Sequence, residues 1–155
     1  MVVGSDHAAI AAKRIVLAVM TELGIPFKDL GCHGSESVDY PDYAMKVARA
    51  VAGGKASRGI LLCGTGIGMS IAANKVTGVR AALVHDVTTA RMSRLHNDAN
   101  VLALGGGLLG ERLLREIVTA WLTTDFEGGR HQRRVDKITQ LDREKSGKLP
   151  RNASK

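Results

Sequence analysis

Cys63, Thr65 and the glycines Gly64, Gly66 and Gly68 put a thiol, a hydroxyl and a run of unhindered backbone amides into six consecutive residues. The apolar run Ile60 to Leu62 stops at Cys63, and the Ala-rich stretch Ile71-Ala72-Ala73-Asn74-Lys75 follows Gly68. That spacing predicts a strand, a glycine turn and a helix start. Glycines at such a turn let a ligand approach the backbone and aim N–H groups at an anion or a developing oxyanion. The same pattern also builds plain strand-to-helix turns, and a cysteine at a strand end is often a small buried hydrophobe. The rest of the chain has to separate the two readings.

Several familiar chemistries are excluded. The loop lacks the Gly-Lys-Ser/Thr ending of a phosphate-binding P-loop, and position 69 is Met69 rather than the third glycine of a dinucleotide fingerprint. Nor is there an arginine at 69, which a cysteine-dependent phosphatase loop would need. His7, His33, His85, His96 and His131 show neither H-x-H nor H-x-x-x-H spacing, so no metal site and no cofactor is expected. Two further segments carry chemistry. His96 falls near the C-terminal end of a helix, where the dipole favours imidazolium. After Gly128-Gly129, Arg130 and Arg134 share one helical face, which suits a grip on phosphate.

The elements that must position these groups alternate. Val2-Val3-Gly4 reads as a strand, and a helix follows on Ala9, Ala12, Val16, Val19 and Leu23, stopped by Gly24. Pro26 to Leu30 reads as a second strand and Gly31 to Tyr40 as a loop, with Pro41 opening a helix to about Ala52. Val79 to Val84 and Val101 to Leu104 are further strands, with an Asp86-capped helix between them. Leu114, Ile117, Val118 and Trp121 form one apolar helix face, so Trp121 is expected in the core. Arg130 to Leu141 reads as a final helix.

Near-continuous aliphatic strands alternating with helices predict an α/β, Rossmann-like three-layer sandwich around a five-stranded parallel sheet. Right-handed crossovers give the expected order 2-1-3-4-5, with ligands outside the carboxyl ends of strands one and three, where the chain reverses direction. Ser5-Asp6-His7 and Cys63 to Gly68 leave that point.

At 155 residues one domain is expected to about residue 141, with a basic, disordered tail over 142–155. The net charge is +7, of which residues 141–155 supply +3, and only 3% of residues are aromatic. A small anionic ligand accounts for that charge without nucleic acid, for which stacking rings are scarce. Two cysteines, Cys32 and Cys63, fit no disulfide framework, and no apolar run reaches membrane-spanning length. A soluble, cytoplasmic protein without a membrane partner is expected.

Six segments in order, Gly4-Ser5-Asp6-His7-Ala8, Asp39-Tyr40-Pro41, Cys63-Gly64-Thr65-Gly66-Ile67-Gly68, Ile71-Ala72-Ala73-Asn74-Lys75, His96-Asn97-Asp98-Ala99-Asn100 and Gly128-Gly129-Arg130-His131-Gln132, resemble the ribose-5-phosphate isomerase B family. Allose-6-phosphate and galactose-6-phosphate isomerases belong with it, and the match runs from residue 2 to about 141. The resemblance implies metal-free aldose–ketose isomerisation of a phosphorylated sugar through an enediolate. It implies a homodimer that can pair into a tetramer, with sites shared between subunits. Cys63 would be the base, with Thr65 assisting and the Gly64, Thr65, Gly66, Ile67 and Gly68 loop holding the enediolate. His96 would open the sugar ring with help from Asp6. His7, Arg130 and Arg134 would hold phosphate, and Asn97 would line the sugar site. Some members carry a glutamate where this chain has Met69, and many carry an arginine where it has Gly107. That leaves Arg112 or Arg133 as possible replacements for the latter.

Overall fold

The computed structural model describes residues 1–145, and within them the apolar runs become five parallel strands in one sheet. They are β1 Val2–Ser5, β2 Lys28–Asp29, β3 Gly59–Cys63, β4 Ala81–Val84 and β5 Val101–Gly105. The helices are α1 Ile10–Glu22, α2 Tyr40–Ala52, α3 Ile67–Ala73, α4 Val87–Leu95, α5 Glu111–Thr123 and α6 Arg130–Lys145, with a 3-10 turn at His7–Ala9 ahead of α1. Every residue of β1, β3 and β5 is buried, as central strands of a parallel sheet require. Their side chains alternate between two cores. Val3, Ile60, Leu62, Leu102 and Leu104 pack with α1, α4 and α5, whereas Val2, Leu61, Cys63 and Val101 pack with α2 and α3. The α/β three-layer architecture is therefore the expected one.

The strand order is not. It is 2-1-3-5-4, so β5 rather than β4 lies beside β3. The sequence contains the reason. β4, Ala-Ala-Leu-Val, is half-exposed over its first three residues and suits an edge, whereas all of Val-Leu-Ala-Leu-Gly in β5 is buried. The chain steps out from β3 to β4 through α3 on one face and returns to β5 through α4 on the other. A right-handed crossover demands that change of face when the direction reverses. The loop after β3 is thus flanked on both sides by strands whose following helices, α1 and α5, leave on the opposite face.

Smaller departures have local causes. Of the stretch Pro26 to Leu30, only Lys28–Asp29 forms β2: Pro26 has no N–H to give, and past Leu30 the chain stays on β1 in irregular form, with Gly31 at φ +96° and Cys32 N–H donating to the Ser5 carbonyl at 2.7 Å. The last helix passes Leu141 and runs to Lys145, with the Asp142 carboxylate accepting from the Gly78 N–H at 2.9 Å in its final turn. The remainder of the tail, 146–155, lies outside the described residues. Asp86 caps α4 as expected, accepting from Thr89 N–H at 2.8 Å, a bond that holds its carboxyl below the usual carboxylate range. Trp121 is fully buried, with the guanidinium groups of Arg58 and Arg94 5.6 and 5.8 Å from its ring. Among the described residues, no helix is long and apolar enough to cross a membrane.

Candidate active site

At the carboxyl end of the sheet the loop leaving β1 meets the loop leaving β3. The Asp6 N–H donates to the Leu62 carbonyl at 3.1 Å, which holds Asp6 next to the end of β3. Asp6 is 7% exposed and its Oδ1 accepts from Ala8 N–H at 3.0 Å. Burial pushes its carboxyl above the usual carboxylate range, against the pull of that bond. His7 follows, its Nδ1 accepting from the Val38 N–H at 3.1 Å. With Nδ1 so engaged, Nε2 carries the proton and is a donor for an anionic oxygen.

Cys63 ends β3 only 5% exposed, and its Sγ accepts from the Gly66 N–H at 3.1 Å. Negative charge on sulfur strengthens such a bond. Thr65 is exposed, its Oγ1 accepting from Ile67 N–H at 3.3 Å and its carbonyl 3.3 Å from His85 Nε2. Two of the amides expected to hold an enediolate, those of Gly66 and Ile67, are therefore already engaged within the loop. Gly68 lies in the first turn of α3, whose N–H groups have no acceptor within the helix. Met69 is fully buried in the core beside α2 and takes no part in the opening.

The loop glycines serve different purposes. Gly66 has φ +79°, and a Cβ there would stand 2.6 Å from Leu83 Cδ1 and 2.8 Å from the Leu104 carbonyl carbon. A Cβ at Gly68 would meet the Tyr40 ring at 2.6 Å, whereas one at Gly64 would meet nothing within 4 Å. Gly66→Ala is expected to destabilise the fold by about 2–4 kcal/mol, from overpacking and left-handed strain. Gly64→Ala is expected to melt within about 0.5 kcal/mol of the parent yet lose turnover, because only a ligand needs that space. Urea unfolding of both variants checks this, and equal stabilities would refute the distinction.

The new strand order brings β5 into the opening. Gly106 N–H donates to the Cys63 carbonyl at 2.8 Å and Gly107 N–H to the Gly64 carbonyl at 3.0 Å. A Cβ at Gly107 would lie 3.0 Å from that same carbonyl oxygen. Arg112 is 93% exposed and paired with Glu116 at 3.0 Å.

The remaining predicted residues gather at the other end of the sheet. In the β3–β5 register Gly59 is level with Val101 and Cys63 with Gly105, and Gly59 N–H donates to the Asn100 carbonyl at 2.9 Å. The segment His96 to Asn100 thus sits at the amino end, roughly 13 Å of strand away from Cys63. Its turn is firmly built. Asp98 takes φ +44°, and its carboxylate pairs with Arg80 and Arg94, each at 2.8 Å. Arg80 Nε also donates to the Asn97 carbonyl at 3.0 Å. Glu127 N–H donates to the Leu95 carbonyl at 3.1 Å, bringing the approach to α6 against the end of α4. The His96 and His131 rings stack there, centroids 4.1 Å apart and 6° from parallel, with Glu127 Oε2 3.8 Å from Nε2 of each. Arg130 and Arg134 flank His131.

His96, Glu127 and His131 have the composition of a metal site, and their ligand atoms lie within 4.8 Å of one another. The ring geometry opposes it. An ion must lie near the plane of each imidazole, about 2 Å from nitrogen, and two parallel planes cannot both contain it. Glu127 and His131 were not among the predicted site residues. Their only sequence signal is position, on either side of the Gly128-Gly129 approach. The cavity of about 480 Å³ lined by Met1, Lys28, Lys46 and Arg49 lies at the amino ends of β1 and β2, away from Cys63.

A sequence model described as Ribose/Galactose Isomerase matches residues 1–138. The chain belongs to that family. It is similar to ribose-5-phosphate isomerase B of Escherichia coli, 48% identical over 143 residues covering 92% of this chain and 96% of that one. It is also similar to D-erythrulose-4-phosphate isomerase of Pectobacterium atrosepticum, 45% identical over 88% of this chain and 90% of the relative. The solved structure of Clostridium thermocellum ribose-5-phosphate isomerase B superposes with a TM-score of 0.90 at 50% identity, covering 93% of this chain and 97% of that one. As a member of the ribose/galactose isomerase family, the protein is a sugar-phosphate isomerase that interconverts an aldose and a ketose. Within a single chain the residues expected to form the site fall into two clusters, Asp6, His7, Cys63 and Thr65 at one end of the sheet and His96, Asn97, Arg130 and Arg134 at the other.

Proposed function

We propose that the enzyme interconverts ribose 5-phosphate and ribulose 5-phosphate in a homodimer, each site joining the Cys63 end of one subunit to the His96 end of its partner. The observation that carries this reading is the separation of the two clusters within one chain. A sugar phosphate is too short to reach from Cys63 to His96 of the same subunit, whereas a two-fold interface brings unlike ends together. Exposed Ile67, Ile71 and Tyr40 beside the Cys63 loop give that interface apolar surface to bury.

His96 of the partner subunit protonates the ring oxygen as the C1–O bond breaks, and Asp6 takes the proton of the C1 hydroxyl. In the open aldose Cys63 Sγ removes the proton from C2. The C–H electron pair forms the C1–C2 double bond, and the charge on O1 rests against the loop amides with Thr65 beside them. A proton passes from O2 to O1, and the Sγ–H, which exchanges with water during the lifetime of the enediolate, gives a proton to C1 and leaves the ketose, without metal or cofactor. His7 donates Nε2–H to the phosphate, which Arg130 and Arg134 of the partner subunit grip from the other side, and Asn97 of the partner subunit lines the sugar. No side chain at Gly107 contributes to that grip.

The experiment is a panel of ribose 5-phosphate, allose 6-phosphate and D-erythrulose 4-phosphate, the last because one relative carries that name. Fastest conversion of ribose 5-phosphate is expected. Preference for another member of the panel would change the substrate assignment. Saturable binding of all three with no turnover would replace the reading with a non-catalytic phosphosugar-binding protein.

A further inference from the structure

We infer that His131 is a positioning residue that couples the ring-opening group to the phosphate grip: one face of its ring seats His96, and its two nitrogens each face one arginine of the pair. The inference rests on the functional reading above for the roles of His96, Arg130 and Arg134, but its geometry stands on its own.

His131 is only 3% exposed, while Arg130 and Arg134 on the same helix are exposed. Exposed arginines sample many rotamers, and ordering one for a ligand costs entropy unless something already holds it. Here Arg130 Nε lies 3.3 Å from His131 Nε2 and Arg134 Nη1 3.4 Å from His131 Nδ1. A guanidinium only donates, and a neutral imidazole has one acceptor nitrogen, so His131 accepts from one arginine at a time. The other arginine then faces the ring N–H and is free to turn to the ligand. Doubly protonated, the ring would accept from neither.

The surroundings keep it neutral. Burial first, then the neighbouring His96, hold the His131 imidazole below the ordinary histidine range; Glu127 pulls the other way, and Arg130 and Arg134 add to the lowering. These groups, His96 from α4, Glu127 from the preceding segment and the two arginines from α6, are the charged neighbours placed against the ring. A neutral His131 keeps an acceptor nitrogen for the arginine pair while its ring face stays against His96. The backbone fixes the arrangement. Gly128 and Gly129 take φ of +69° and +51°, and His131 N–H donates to the Gly128 carbonyl at 2.9 Å, so α6 starts with His131 turned against His96.

The test compares His131→Phe, which keeps a flat ring on His96 but offers no nitrogen, with His131→Asn, which keeps one acceptor but no stack. Three readouts are needed: inorganic phosphate affinity by calorimetry, the KM and kcat split, and the His96 and His131 ring resonances by NMR. For His131→Phe, phosphate affinity is expected to fall about tenfold and KM to rise as much, with kcat within about threefold. For His131→Asn, KM should change less and kcat more, with the His96 ring resonances displaced by loss of the stack. In the parent protein, NMR should show His131 staying neutral until the pH falls below the ordinary histidine range. Parent-like phosphate affinity and KM in a folded His131→Phe would overturn the inference, as would a His131 imidazole that protonates within or above the ordinary histidine range. A parent protein that binds phosphate but isomerises nothing would overturn the catalytic reading alone, and the phosphate and NMR readouts would still judge His131.

Discussion

Cys63→Ala is expected to lower kcat for sugar-phosphate isomerisation by about 10²- to 10⁴-fold, the range that a positioned proton-transfer group supplies, while substrate binding changes little. In the proposed mechanism the thiol moves the proton between adjacent carbons. Asp6 is held by its bond to Ala8 N–H and by the β3 end, and Met69 is buried in the core. The exchange removes one buried sulfur and frees the Gly66 N–H, so a stability loss of about 1 kcal/mol is expected, too little to empty the folded state. Calorimetric titration with ribose 5-phosphate separates binding from chemistry. Retained turnover in a folded Cys63→Ala protein would remove Cys63 from the role of base and turn attention to Asp6.

The second large effect is a gain. Cys63→Ala and His96→Asn homodimers should each be inactive, but mixing them after dissociation should restore activity. In a heterodimer one of the two shared sites receives both intact groups and the other receives neither. Random reassortment makes half of the dimers mixed, so recovery should approach roughly a quarter of the parent activity. A site built within one chain would give no recovery at any ratio. Activity should also follow the rate of subunit exchange, which native mass spectrometry can time independently.

Much of the fold was legible because the strongest sequence signals coincide with simple physics. Ile60 to Leu62 and Val101 to Leu104 read as buried strands since nothing polar interrupts them, and Asp86 and Pro41 sit where helix starts need them. The strand order was less legible: β4 and β5 are both short aliphatic runs, and only the smaller, half-exposed Ala81 and Ala82 mark which of them takes the edge. The site was legible in parts. Loop chemistry around Cys63 and Asp6 is local, so spacing along the chain conveys it. The distance from Cys63 to His96 is set by the length of the sheet, and no local pattern encodes it. His131 and Glu127 escaped because burial and ring stacking are tertiary properties. Along the chain His131 is simply one of three residues between the more conspicuous Arg130 and Arg134.

In the proposed reaction a proton, carried by a protein base through an enediolate, turns an aldose phosphate into a ketose phosphate. Proton NMR of ribose 5-phosphate conversion in D₂O tests it directly. Ribulose 5-phosphate should accumulate to equilibrium, with deuterium appearing at C1 of the ketose and at C2 of the recovered aldose. No conversion of ribose 5-phosphate, or conversion in which neither carbon ever acquires deuterium, would contradict it.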